Sequence, residues 1–289
     1  MLRELIAILF LMPLLHEPIQ HGTCVLTLST MDIIVVAADG NTHLELPTGK
    51  PDAPYLRATE QGESKVVICG SNFLCATAGL NPLIYKRHGL DIEYDFQKWI
   101  ASIPAKKHSS VVEYANAIQR RERKTFREAD ALLQQPDFWN SQSAAMAALV
   151  VFRVVGFTDE GPEFCDMALK IDREHRRAIF ADPECSIRKT PSMHYSSLWG
   201  THHTNSDTAW INGSPQSKRL MEIQPSSLAT ARVLLPDSRP AIQAIVANAA
   251  SLIRVESEFD PQEVGGTPNI GILEKGKCPK TLFFAPLNH

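Results

Sequence analysis

The chain has 289 residues, of which 44% are hydrophobic and 21% charged, and its formal net charge is -3. This length and composition suit a globular protein with a packed core, arranged as one large domain or two modest ones. The near-neutral charge gives no global attraction to nucleic acid or to an anionic membrane surface, so neither is expected as a partner.

Residues 1–22 are expected to form a leader that is removed. Their apolar run, Leu5–Leu15, is too short to cross a bilayer, so no stable membrane insertion is expected. Its length suits the hydrophobic region of a secretory signal peptide, which favours a secreted or periplasmic location. Because Glu4 offsets Arg3 and no A-x-A cleavage site follows, a hydrophobic propeptide on a cytoplasmic protein stays open as the alternative.

The segment after the leader is predicted to contain four strands. They are Thr23–Ser29, Ile33–Ala38, Lys65–Cys69 and Phe73–Ala78. The continuous apolar run Ile33–Ala38 is typical of a strand buried on both faces. The polar, proline-containing segment Asn41–Ser64 is predicted to be a long loop.

The remainder of the chain carries helical patterns followed by further strands. Helices are predicted over Asp91–Ile103, Ser109–Gln135 and Pro240–Phe259, and strands over Ala144–Phe157, Phe164–Ile171, Arg176–Phe180 and Asn269–Leu273. The clearest helix begins at Pro240 and carries one apolar stripe from Ile242 to Ile253. This order of elements indicates an α+β fold in which helices cover sheets.

Neither the cysteines nor the histidines predict a metal site. The six cysteines form no C-x-x-C pair, and their even number permits disulfides without requiring them. Cys69 and Cys75 lie in apolar runs and are predicted to be buried thiols. His194, His202 and His203 are expected to be loop histidines, because no carboxylates or fixed helical spacing accompany them.

Several fragments together resemble the front of a proteasome β-subunit and, more broadly, the N-terminal nucleophile (Ntn) hydrolases. They are His21–Leu26, Val35–Asp39, Lys65–Ile68 and Ala76–Gly79. Thr23 and Asp39 lie sixteen positions apart, and Lys65 and Gly79 lie fourteen apart, as they do in the family. The resemblance implies a four-layer αββα sandwich over residues 23–289.

The resemblance also implies that the chain is cleaved after Gly22 and that Thr23 becomes the nucleophile of a peptidase or amide hydrolase. A threonine hydroxyl is a poor nucleophile at neutral pH and needs an adjacent base. A free α-amino group titrates near ~7.7–8.0 and can accept the hydroxyl proton. Only a threonine at a chain end has that amine, and this chemistry needs no metal or organic cofactor.

The remaining site residues take their expected roles from the same resemblance. Lys65 lies as a cation near the hydroxyl and lowers its pKa, and Asp39 keeps Lys65 charged. The Gly79 backbone N–H donates to the oxyanion of the tetrahedral intermediate. Asp260, ahead of Val264-Gly265-Gly266, helps to orient the amine.

Two departures from the family pattern keep a structural ring subunit open as an alternative. Val264 stands where the family has Ser, and Asn41 stands where it usually has Arg, whereas Gly200-Thr201 matches the family's Gly-Ser turn loosely. A small-amide Ntn amidohydrolase, selected by the long segment Asn41–Ser64, is a further alternative, as is Cys24 as the nucleophile, by analogy with Cys-type relatives. The expected partners are a peptide or amide substrate and further copies of the chain in a homo-oligomer or proteasome-like ring.

Overall fold

The computed structural model describes residues 24–47, 55–61, 64–70, 72–79, 83–87, 90–104, 110–122, 126–139, 148–189, 194–198, 214–259, 261 and 264–285. Its strands are β1 (Val25–Ser29), β2 (Ile33–Ala38), β3 (Asn41–Pro47), β4 (Tyr55–Gln61), β5 (Val66–Cys69), β6 (Phe73–Gly79), β7 (Leu83–Arg87), β8 (Leu90–Tyr94), β9 (Ala148–Thr158), β10 (Gly161–Asp172), β11 (Arg177–Phe180), β12 (Glu184–Ile187), β13 (His194–Leu198), β14 (Asn269–Glu274) and β15 (Lys280–Phe283). Its helices are α1 (Phe96–Ala101), α2 (Val111–Glu122), α3 (Phe126–Leu133), α4 (Pro136–Trp139), α5 (Pro215–Leu234) and α6 (Pro240–Phe259).

Two antiparallel sheets form the centre of the fold. The first sheet has the strand order β13-β1-β2-β14-β15, and the second has the order β11-β10-β9-β6-β5 with β12 also paired to β10. Two separate ribbons, β3–β4 and β7–β8, complete the described pairing. The protein is thus a mixed fold of helices and antiparallel sheets, which agrees with the predicted α+β class.

The core is divided into three apolar clusters by the alternation of side chains along the strands. Leu26 and Val35 belong to a cluster that includes the stripe of α6, whereas Val25 and Val36 pack with residues of the second sheet. A further cluster joins the second sheet to α1–α4. Each sheet therefore packs against helices on one face and against the other sheet on its opposite face.

The predicted loop Asn41–Ser64 is wrong, because this segment forms the hairpin β3–β4, in register from Asn41 opposite Gln61 to Pro47 opposite Tyr55. Pro47 is the last residue of β3 and lies opposite Tyr55, at the end of the described ladder. The polar, proline-containing composition therefore does not prevent strand pairing here.

The predicted helix Asp91–Ile103 is also wrong at its start. Leu90–Tyr94 alternates between apolar and acidic residues and forms strand β8. The helix begins only after Asp95, whose carboxylate accepts a hydrogen bond from Lys98 N at 3.0 Å and caps it. The structure likewise describes two helices, α2 and α3, within the predicted helix Ser109–Gln135.

The two long helices α5 and α6 pack against each other, but only α6 was expected. Pro225 lies inside α5 and obscures its pattern, although the helix has Ser214 as an N-cap that accepts from Ser217 N at 3.1 Å. The predicted helix Pro240–Phe259 is confirmed with its bounds. Within the described residues no helix is long and apolar enough to cross a membrane.

One disulfide joins the second sheet internally, between Cys165 on β10 and Cys185 on β12. The two cysteines lie directly opposite each other in the strand register. Cys69 and Cys75 are free and buried, as predicted. The bond therefore holds β12 against β10 in addition to the ladder hydrogen bonds.

Candidate active site

Asp39 ends the buried strand β2 and is itself fully buried. Its backbone N–H donates to Cys24 O at 3.1 Å, and the Cys24 N–H donates back to Asp39 Oδ1 at 3.1 Å. The Asn41 N–H contacts the other carboxylate oxygen at 3.3 Å. These bonds fix the carboxylate beside the start of β1.

Lys65 reaches this carboxylate from the second sheet. Its Nζ lies 2.8 Å from Asp39 Oδ1, and its side chain is only 7% exposed. The Lys65 carbonyl accepts from Thr77 N at 3.1 Å, which ties the backbone to β6. A buried charge is strongly unfavourable without a partner, so each member of this ion pair requires the other.

Burial is the largest influence on Asp39 and raises the pKa of its carboxyl group. The Lys65 ammonium and the Cys24 backbone N–H act in the opposite direction and favour the carboxylate. The charged form of Asp39 therefore depends on Lys65.

Asn269 fixes the position of Lys65 across the two sheets. Its Oδ1, on β14 of the first sheet, accepts from Val66 N at 2.8 Å and lies 3.0 Å from Ser64 Oγ. Lys65 is the residue between these two contacts. The sheets are thus joined by hydrogen bonds on both chain neighbours of the lysine, which limits how far its backbone can move.

The Gly265-Gly266 turn packs against the residues that follow Asp39. The Gly265 carbonyl accepts from Gly40 N at 2.8 Å and from Asn41 N at 3.1 Å. Gly266 has φ 71°, and a Cβ there would lie 2.7 Å from Asn41 Oδ1, so no larger residue fits without a shift. The Asn41 Oδ1 atom is buried and has no hydrogen-bond partner in the described part of the chain.

Gly79 lies at the end of β6, two positions beyond Thr77, whose N–H bonds to Lys65. Its φ is 104°, and a Cβ would come within 2.5 Å of Leu149 O. Glycine is therefore required for both backbone conformation and space. The strand register places Gly79 at the same end of the sheets as Lys65.

Three predicted site residues, Gly22, Thr23 and Asp260, lie outside the described residues, as does Gly200-Thr201. The described part of the site consists of the Asp39–Lys65 pair, with Gly79 at the same end of the sheets.

Cys24 does not have the environment of a nucleophile. Its side chain is fully buried in the cluster beneath α6. Burial, with Glu256 and Asp39 adding to it, raises the pKa of the Cys24 thiol well above its usual range. The thiolate is the reactive form of cysteine, so this buried, protonated thiol argues against the Cys24 alternative.

The sequence did not predict that the Asn269 side chain would hold the backbone beside Lys65, or that the Cys24 backbone N–H would bond to Asp39. Asn269 opens the predicted final strand, where a polar residue before an apolar run is an ordinary strand start. Its role depends on how the two sheets face each other, which the sequence pattern does not specify. Among the described residues, no group of three or more His, Cys, Asp or Glu side chains is placed to hold a metal ion.

The sequence matches no protein-family model, and no curated protein is significantly similar to it.

Proposed function

We propose that the protein is a threonine-type peptidase or amide hydrolase, with Thr23 as its nucleophile after cleavage at Gly22. The observation that carries the proposal is the buried Asp39–Lys65 ion pair, bonded to the backbone N–H of Cys24. An ion pair of this kind usually costs stability compared with an apolar pair, so its presence at the start of β1 favours a chemical role.

Covalent geometry supports the assignment of Thr23. The backbone N–H of Cys24, the residue that follows Thr23 in the chain, lies 3.1 Å from Asp39 Oδ1. Lys65 Nζ lies 2.8 Å from the same oxygen. The residue bonded to the Cys24 nitrogen is the one for which we propose the nucleophile.

The packing of the described layers also agrees with the proposal. Helices α5 and α6, the first sheet, the second sheet and α1–α4 follow one another, which fits the four-layer αββα sandwich of Ntn hydrolases. The Gly265-Gly266 turn lies against the residues after Asp39, as expected if it helps to shape the same site.

In the first half of the proposed reaction, the Thr23 hydroxyl attacks the carbonyl carbon of the substrate. The free α-amine takes the hydroxyl proton, and the Lys65 ammonium stabilises the developing negative charge on oxygen. The Gly79 N–H donates to the oxyanion. The C–N bond then breaks, the α-ammonium returns the proton to the leaving amine, and an ester to Thr23 remains.

In the second half, water replaces the leaving amine. The α-amine takes a proton from water as the hydroxide adds to the ester carbonyl, and the proton is returned to the threonine oxygen as the C–O bond breaks. The products are a carboxylic acid and the original enzyme. The cycle balances without a metal or an organic cofactor.

The expected setting of this enzyme follows from the same proposal. The Cys165–Cys185 disulfide suits an oxidising compartment, in line with a secreted or periplasmic protein whose leader is a signal peptide. A cytoplasmic protein with an autocatalytically removed propeptide is the alternative. The resemblance to ring-forming proteasome subunits favours assembly as a homo-oligomer or ring.

Two observations favour alternative functions. Val264 and Asn41 replace the family's Ser and Arg, which favours a weak or inactive structural subunit. The hairpin β3–β4 starts at Asn41, two residues after Asp39, and this position in the chain favours a small-amide amidohydrolase whose substrate the hairpin selects. Comparing the turnover of a peptide with that of a small amide distinguishes a small-amide amidohydrolase from a peptidase.

A peptide α′,β′-epoxyketone tests the proposal directly. Its ketone is attacked by a hydroxyl group, and its epoxide is opened by an amine. A ring that contains both new bonds forms only when the hydroxyl and the amine belong to the same residue, and no atoms are lost when it closes. We expect the mass of the mature protein to rise by the mass of one reagent, with the adduct on Thr23.

Two variants control this labelling. Thr23→Ser keeps a hydroxyl beside the α-amine and should still be labelled, whereas Thr23→Ala should not. An adduct on Cys24, or no adduct on a chain that begins at Thr23, would contradict the proposed nucleophile.

A further inference from the structure

A second polar pocket lies between the two sheets, away from Asp39 and Lys65. The hydroxyl-bearing residues Thr27 and Ser29 of β1 line one side of it, and the cavity measures about 70 Å³. Val25 pairs with the residue before Asp39, and the pocket residues Thr27 and Ser29 are two and four residues farther along β1. At about 3.3 Å per residue these separations are about 7 and 13 Å, and neither Asp39 nor Lys65 lines the pocket.

A half-buried ion pair, Arg153 with Asp166, lines this pocket. Arg153 donates from Nε and Nη2 to the two carboxylate oxygens of Asp166, both at 2.7 Å, and its side chain is 5% exposed. Its Nη1 lies 3.3 Å from Thr27 Oγ1 on the opposite sheet. The two charges cancel, and the guanidinium holds the Thr27 hydroxyl in a fixed position.

Two further charges line the wall formed by β12 and the residue that follows it. Glu184, Ser186 and Arg188 are separated by two positions each, so their side chains share one face of an extended segment. Neither Glu184 nor Arg188 forms an ion pair with another residue in the described stretches. The pocket thus has an available anion and an available cation on the same wall.

The charge balance limits what the pocket can bind. With two guanidinium groups and two carboxylates, it attracts neither a simple anion nor a simple cation strongly, because each meets a like charge. A molecule that carries both charges satisfies both available groups. The cavity of about 70 Å³ is several times the minimum of roughly 10–15 Å³ that one water molecule needs, so it admits a small molecule.

We propose that this pocket binds a small free α-amino acid, with its carboxylate on Arg188, its ammonium on Glu184 and the hydroxyls of Thr27, Ser29 and Ser186 around it. Glycine, alanine and serine have the required size and both charges. This site goes beyond the proposed hydrolase activity and does not depend on it.

The disulfide holds the wall that carries the two available charges. Cys165 faces Cys185, and the pairs on either side are Phe164 opposite Ser186 and Asp166 opposite Glu184. Side chains alternate along each strand, so the residues flanking the disulfide face the pocket from the opposite side of the sheet. Reducing the bond frees β12 from this restraint and is expected to weaken binding.

Calorimetric titration of the full-length, oxidised protein tests the site. We expect saturable 1:1 binding of glycine, alanine or serine in the millimolar range, and at least about tenfold weaker binding of acetate, methylamine and glycerol. Glu184→Gln and Arg188→Gln should each weaken binding by about tenfold or more, because each removes one of the two charges. Both residues are on the protein surface side of the pocket, and neither belongs to the proposed catalytic machinery.

Lys189→Gln is the matched control. Lys189 is adjacent to Arg188, is exposed and pairs with Glu160 at 2.5 Å, so its replacement should leave binding unchanged.

Binding by the reduced protein and by Cys185→Ser should be several-fold weaker than by the oxidised wild type, and unchanged affinity would remove the disulfide from the proposal. No saturable binding of any of the three amino acids, equal binding of acetate or glycerol, or full affinity in Arg188→Gln would overturn it.

Discussion

Replacing Lys65 with Met will destabilise the protein by about 3–5 kcal/mol, because Asp39 is left buried without its cation. We also expect hydrolysis to fall by about 10²–10⁴-fold, the range lost when a group that assists proton transfer is removed. Chemical denaturation measures the first effect, and steady-state turnover at a temperature where the variant is folded measures the second.

Two variants separate the loss of charge from general damage at Lys65. The double variant Lys65→Met with Asp39→Asn removes both charges and keeps an oxygen for the Cys24 N–H, so most of the stability should return while activity stays low. Lys98→Met breaks an exposed ion pair with Asp95 and should change stability by less than about 1 kcal/mol. Turnover at the wild-type rate in a folded Lys65→Met variant would contradict the proposed role of the lysine.

Replacing Thr23 with Ala is expected to abolish hydrolysis, because the acyl-enzyme ester has no oxygen on which to form. If cleavage after Gly22 is autocatalytic, the same variant should also keep its leader. The measurement is turnover of a fluorogenic peptide together with the mass of the variant chain.

Thr23→Ser provides the comparison, because serine keeps both the hydroxyl and the α-amine. It should retain measurable turnover and processing. Wild-type turnover by the Thr23→Ala variant would exclude Thr23 as the nucleophile, whatever the outcome for the leader.

The local sequence pattern predicted the elements whose apolar residues form a continuous run or a regular stripe. The apolar run Ile33–Ala38 and the stripe of α6 (Pro240–Phe259) carry their own periodicity, and the structure forms both with the predicted bounds. Asp39 and Lys65 were paired by the resemblance, and they meet at 2.8 Å. The two elements follow from short-range patterns, and the residue pair follows from the order and spacing of motifs along the chain; both kinds of information can be read from a single sequence.

Other features depend on contacts between distant segments and were missed. The hairpin β3–β4 is polar on much of its length, and α5 has Pro225 in its middle, so neither carries a strong pattern. Arg153 is a lone cation in the apolar strand β9, which indicates that it needs an anionic partner. The identity of that partner, Asp166, follows only from the strand register.

The central claim is that a new chain terminus at Thr23 supplies both the nucleophile and its base. The intact mass of the purified, active protein tests this most directly. We predict a mass equal to residues 23–289, with Thr23 as the first residue. An active protein that retains residues 1–22, or that begins at any other position, would contradict the proposal.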